Sequence, residues 1–258
     1  MIIDINTSLG RWPFQRFDVN SAQALAKRLR NVGIAKALVS SIDAVLYPDP
    51  APCDDDLLKA VQGEPLFIPV PTVNPVLTHW RAMLAAQGLK AVRIVPNYHN
   101  YSLADPAVAP FMETLAVMKM PLLIQMRVDD ERNQYPLMKV PGVAWKDVVR
   151  LADAFPSVSI VCLCAYRGEA VELVRQTKNV RVDISFISMF RTLPTLLQQI
   201  APDRILFGSH TPFFYTVSAV MKLEAARQME KDYRAVACSN AMQLFGIDLS
   251  KIPEVHQG

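Results

Sequence analysis

Residues 89–127 read LKAVRIVPNYHNYSLADPAVAPFMETLAVMKMPLLIQMR. The stretch opens on a short apolar run, Ala91 to Val95, and closes on another, Leu122 to Arg127. Between them VAPFMETLAVMK repeats its apolar residues at helical spacing, and Pro121 stops that helix just before the second run. Strand, helix and strand in this order form a βαβ unit, which makes the two strands parallel.

The same rhythm continues in both directions. Further strands are expected at Ile2–Asn6, Ala35–Ser40, Leu66–Pro71, Ser159–Cys164, Val180–Ile184 and Ile205–Gly208, with amphipathic stretches such as SAQALAKRLRNVG, LTHWRAMLAAQG and WKDVVRLADAF between them. Gly33 and Gly88 fall where a helical segment gives way to the next strand. Eight strands, each followed by a helical segment, predict an α/β fold of the (β/α)8 TIM-barrel type. No Pro/Gly/Ser-rich linker divides the chain, so residues 1–258 read as one domain. The long non-periodic stretches Gly10–Asn20, Asp43–Asp56, Pro96–Asp105 and Asp129–Val143 each follow a strand, where barrels carry their sites.

Composition narrows the function classes. At 51% hydrophobic and 20% charged, the chain can bury a core without a disulfide or metal staple. Its 27 basic and 24 acidic residues give a net charge of +3 with no basic block, which argues against a nucleic-acid partner. No apolar run approaches the roughly 18 residues of a membrane span. Cys53, Cys162, Cys164 and Cys238 show no C-x-x-C spacing and the N-terminus has no secretory pattern, so a reduced, cytoplasmic protein is expected. The four histidines, His79, His99, His210 and His256, form neither an H-x-H nor an H-E-x-x-H pair.

Four segments carry a resemblance: IIDINTSLGRWPF (2–14), LKAVRIVPNYHNYSLADP (89–106), RILFGSHTPFF (204–214) and NAMQLFGI (240–247). In order and spacing they resemble the amidohydrolase-related branch of the amidohydrolase superfamily, metal-dependent (β/α)8-barrel hydrolases and decarboxylases. The resemblance implies metal ligands at the strand ends: an H-x-H pair after strand one, histidines ending strands five and six, and an aspartate after the FGS of strand eight. In this chain those places hold Asn6 and Ser8, Gln125, Cys164, and His210. Neutral amides and a hydroxyl are poor ligands for a divalent transition metal, so no metal and no other cofactor are expected. The replacements are nonetheless polar and would converge on one point. Either a metal-free site or a barrel that has lost its activity is compatible with this pattern.

Period-two alternation puts Asp4, Asn6 and Ser8 on one face of strand one and Gln125 with Arg127 on one face of strand five. Asp4 reads as a catalytic carboxylate or as a buried, hydrogen-bonded acid. His210, with an ordinary pKa of about 6.5, is the candidate general base, and Asp183 at the end of strand seven the group that orients it; a histidine bonded to nearby carbonyls is the alternative. Arg93 and Arg127 suit an anionic substrate through their bidentate forks, whereas Arg127 and Arg132 pairing with Asp129, Asp130 and Glu131 is the structural alternative. Asn97, Tyr98 and His99 lie at the same mouth. Trp12, Phe14, Phe213 and Phe214 read as an apolar lid or a subunit contact, and Cys164 as a wall residue or a plain core thiol. The expectation is a metal-independent hydrolase of a small, carboxylate-bearing, possibly cyclic lactone or amide. His210 and Asp183 are catalytic in this reading, and Asn6, Ser8, Arg93, Asn97, Tyr98, Gln125, Arg127 and Cys164 bind substrate. A decarboxylase and a noncatalytic small-anion-binding barrel are the alternatives, and a homo-oligomer is expected from the aromatics and from the resemblance.

Overall fold

The computed structural model describes residues 1–85 and 88–248, so His256 lies outside the described residues. The expected strands form in place: β1 (Ile2–Leu9), β2 (Ile34–Ser41), β3 (Phe67–Pro69), β4 (Val92–Ile94), β5 (Leu122–Gln125), β6 (Ile160–Leu163), β7 (Val180–Asp183) and β8 (Ile205–Leu206). All neighbours pair in parallel, in the orders β1-β2-β3 and β4-β5-β6-β7-β8.

Backbone bonds join the two sheets at both edges. Between β3 and β4, Arg93 N–H donates to Pro71 O (2.8 Å) and Val73 N–H to Arg93 O (2.7 Å). Between β8 and β1, Ile5 N–H donates to Phe207 O (3.0 Å), His210 N–H to Asn6 O (2.8 Å) and Ser8 N–H to Thr211 O (2.8 Å). These seams close the eight strands into the α/β barrel that the alternation implied.

Helices α1 (Ala22–Arg30), α2 (Ala51–Val61), α3 (Trp80–Leu84), α4 (Val108–Met118), α5 (Trp145–Ala154), α6 (Arg167–Gln176), α7 (Thr192–Leu196) and α8 (Thr216–Glu224) follow the strands in turn, and α9 (Glu230–Arg234) and α10 (Asn240–Phe245) end the described chain. Local chemistry sets their limits. Ser21 caps α1 by accepting the Ala24 N–H, Lys27, Arg28 and Arg30 sit in its last turn, and Gly33 takes φ +82° just beyond it. In α4, Val108, Phe111, Met112 and Leu115 are buried at i, i+3, i+4 and i+7, which lays one face on the barrel.

Alternate strand positions divide the core. Ile34, Val39, Val92, Ile94, Leu122, Ile124, Val180 and Val182 pack with helix residues such as Leu25, Leu29, Phe111 and Leu115. Ile3, Ile5, Leu38, Val70, Leu123, Val161, Leu163 and Leu206 form the inner cluster, with Ala241 and Phe245 of α10 against it. The expected common face for Asp4, Asn6 and Ser8 is corrected here. Register shifts between Ile2 and Ile3 and between Asp4 and Thr7 break the alternation of β1, so Ile3 and Ile5 take inner positions while Asn6 still turns inward.

Candidate binding site at the strand ends

The strand ends bring together residues far apart in sequence. Asn6 Nδ2 donates to Asp183 Oδ2 (2.8 Å) and Cys164 Sγ (3.2 Å), and Gln125 Nε2 donates to Cys164 Sγ (3.0 Å) and Arg127 O (2.7 Å). Asp183 Oδ1 accepts the Cys164 N–H (2.9 Å) and the Ser185 hydroxyl (3.0 Å). Cys164 reaches this cluster because its backbone leaves β6 at φ +61°. Gly208 allows the close approach, since a Cβ there would strike Asp183 Oδ2 and press on Asn6. Burial raises the Asp183 carboxyl above its ordinary pKa despite these donors, and burial followed by the Asp183 charge raises the Cys164 thiol, which keeps the sulfur protonated at neutral pH.

His210 stands beside this cluster at 2% exposure. Its Nε2 bonds to Val128 O (2.7 Å), and its ring stacks on Phe213 (4.7 Å between centroids, 11° between planes) with Phe186 and Phe214 edge-on at 5.5 Å. Burial lowers its pKa to about 4, so the ring is neutral at pH 7. With Nε2–H donating to Val128 O, the Nδ1 lone pair faces Asn6 Oδ1 at 3.4 Å, a second acceptor. The expected direct bond from Asp183 is therefore corrected: Asn6 stands between, with its NH2 on Asp183 and its carbonyl toward His210.

Other expected substrate contacts are engaged by the protein itself. Arg93 is buried and donates to Ser41 O (2.6 Å) and Thr72 Oγ1 (2.8 and 3.1 Å), and burial lowers its pKa to about 10. Arg127 forms a bidentate pair with Glu169 (2.6 and 2.8 Å), donates to Cys164 O (2.6 Å) and lies 3.8 Å over the Tyr166 ring. Most of each fork is taken by acceptors on neighbouring elements, and Arg127 Nε is left as a buried donor without a partner. Arg132 pairs with Asp130 (2.8 and 2.9 Å), the structural alternative for that residue. Asn97 bonds to Pro141 O, Tyr98 packs edge-on against Trp12, and His99 Nε2 bonds to Ala44 O (2.9 Å). Ser8 joins the β8 loop by backbone alone, through Thr211 O. Asp4 is fully buried; its Oδ1 accepts the N–H groups of Asn6 and Ser209 (both 3.0 Å), the buried-acid alternative. Trp12, Phe14, Phe17, Tyr98 and Phe213 pack on one another as an aromatic cap over His210.

An open cavity of about 560 Å³ lies beside this cap, between the β5, β7 and β8 loops and α8. Ser185, Ser209, Phe213, Phe214, Asp129 and Lys222 line it. Lys222 Nζ donates to Ser185 O (2.6 Å), and burial lowers its pKa, with Asp183 as the nearest opposing charge. A lysine on a helix ordinarily marks a solvated face, so Lys222 carries no functional mark of its own in the sequence. The signal available was its place on the helix that directly follows strand eight, where helices start at the rim.

A family model described as amidohydrolase matches residues 54–247. The chain belongs to the amidohydrolase family. Solved structures similar to this amidohydrolase-family barrel include 2,6-dihydroxybenzoate decarboxylase from Rhizobium (TM-score 0.75, 15% identity, covering 95% of this chain and 98% of that one). A dihydroxybenzoic acid decarboxylase from a Polaromonas species, solved with manganese and 2-nitroresorcinol, gives TM-score 0.72 at 17% identity over 95% and 96% of the two chains. A probable 2-pyrone-4,6-dicarboxylic acid hydrolase from Acinetobacter baumannii, with citric acid bound, gives 0.67 at 13% over 95% and 99%. No curated protein matches significantly. At these identities the structures share the fold.

The strand-end residues of this amidohydrolase-family chain do not fit a divalent metal. The Asn6 NH2 is a donor pointed at Asp183, the Cys164 thiol is held protonated, and His210 spends Nε2 on a carbonyl. Among the described residues no three His, Cys, Asp or Glu side chains converge.

Proposed function

We propose that this amidohydrolase-family barrel binds a small carboxylate-bearing molecule without a metal, and that its strand-end cluster holds the barrel mouth together. One observation carries the reading. The polar groups that replace the family's ligands bond to one another, whereas Lys222, with no ion pair among the described residues, faces an open cavity. A half-buried ammonium served only by carbonyls favours an anionic ligand. Titration calorimetry with a set of mono-, di- and hydroxycarboxylates in metal-free buffer tests it. Binding of at least one is expected, and none binding at millimolar concentration would refute it.

A second reading is metal-independent hydrolysis of a lactone or amide, or decarboxylation, with His210 as base. It is favoured by the unengaged Nδ1 lone pair and by the Asp183–Asn6 bond behind it. This reading requires the Phe213 ring to leave the imidazole. Metal-free incubation with pyrone carboxylates and dihydroxybenzoates separates the two readings: turnover that falls at least a hundredfold in His210→Gln supports catalysis, and binding without turnover supports the first. The proposal includes a homo-oligomer, supported by Tyr215, Val217 and Met221, which are 81%, 55% and 67% exposed at the start and along α8. Light scattering that gives the monomer mass at 50 μM would remove that part.

A further inference from the structure

Two charges of opposite sign look into the cavity beside α8, and neither is compensated by the other. Lys222 enters from the helix side; its bonds go to Ser185 O and Ile184 O, and the opposing charge nearest to it is Asp183. Asp129 enters from the β5 loop. Its Oδ1 accepts the Asp130 N–H, and the charges acting on it are Asp130 and Lys139; the Lys139 ammonium bonds to Glu131 O and Gln134 O. Neighbouring Asp130 is tied to Arg132, so the loop's other carboxylate is already paired. Phe213 and Phe214 supply apolar lining, and the buried Ser185 and Ser209, whose hydroxyls bond to Asp183 and Thr211, lie in the same wall.

A half-buried cation and a half-buried anion that line one cavity without pairing with each other are best matched by a ligand that carries both charges in reverse. A plain carboxylate satisfies Lys222 and leaves Asp129 without a counter-charge in the cavity. We infer that the cavity is a site for a zwitterionic α-amino acid with an aromatic or large apolar side chain. Its carboxylate binds Lys222, its ammonium binds Asp129, and its side chain lies on Phe213 and Phe214. The inference rests on the proposed small-carboxylate binding and adds the amino group.

Calorimetry with three probes tests it: phenylalanine, 3-phenylpropionate, which lacks the amine, and phenethylamine, which lacks the carboxylate. Each one-ended probe is expected to bind wild type at least about tenfold more weakly than phenylalanine, the scale of one charge-assisted contact. Lys222→Gln, which retains a donor for Ser185 O, is expected to weaken phenylalanine and phenylpropionate and leave phenethylamine unchanged. Asp129→Asn is expected to weaken phenylalanine and phenethylamine and leave phenylpropionate unchanged. Equal affinity of wild type for phenylalanine and phenylpropionate overturns the inference and leaves carboxylate binding standing. Failure of these probes and of the simple carboxylates to bind overturns both. The wild-type comparison decides the matter even if a variant fails to fold.

Discussion

Asp4 and His210 both belong to the β8–β1 seam, where Asp4 accepts the Ser209 N–H and His210 N–H donates to Asn6 O, and burial moves their pKa values in opposite senses. Asp4 rises from 3.8 to about 7, mainly by desolvation, with Oδ2 left without a partner. The folded state holds this proton more tightly, so the stability it gives is full below pH about 4 and is lost as pH rises through 7, at up to about 1.4 kcal/mol per pH unit. His210 falls from 6.5 to about 4, so its contribution is full above 6.5 and is lost as pH falls toward 4. Urea unfolding between pH 4.5 and 8 should show Asp4→Asn gaining on wild type as pH rises, and His210→Gln gaining as pH falls. Parallel profiles for wild type and Asp4→Asn would show that the carboxyl is not the titrating group. Asp54, also raised to about 7, leaves part of the alkaline loss in Asp4→Asn. At this scale the resemblance pointed to Asn6, Gln125, Cys164 and His210 as neighbours at the barrel mouth, and the hydrogen bonds among Asn6, Gln125 and Cys164 and the Asn6–His210 approach join them there. It did not show their partners: Val128 O, which holds His210, lies 82 residues away.

Among the elements, α6 is fastened to the barrel by one buried ion pair. Glu169 accepts the Tyr166 N–H at the helix start (2.8 Å) and takes both guanidinium arms of Arg127, whose side chain is 2% exposed. Glu169→Gln removes the charge partner of a buried guanidinium and should cost about 3 kcal/mol in chemical denaturation. Lys59→Ala, on a pair exposed at both ends, should leave the unfolding midpoint where it is. Equal midpoint changes for the two would contradict the distinction. Element order was legible because each strand is a short apolar run closed by Gly, Pro or a loop. The use of Arg127 was not, because its acceptor belongs to the following helix and the nearer acids Asp129, Asp130 and Glu131 compete for it in any reading along the chain. Strand ends were also read long: Arg127 and Cys164 already belong to the loops, where the backbone turns away from the sheet.

For the whole molecule, the barrel closes by backbone bonds at the β3–β4 and β8–β1 seams and by its two apolar layers. Protein dialysed without chelator should carry far less than one zinc or manganese per chain by elemental analysis, and added manganese should leave Tm unchanged. A retained stoichiometric metal would mean that the strand-end donors had been rebuilt around it. The architecture was legible from alternation alone, whereas the cavity beside α8 is made by the loops after β1, β5, β7 and β8 and by that helix, which only the closed barrel brings together. The His210–Val128 bond ties the loop after β8 to the loop after β5 across the mouth. Such a crossbeam couples the two loops: pulling the first away from the rim must either break this bond or carry the second loop with it.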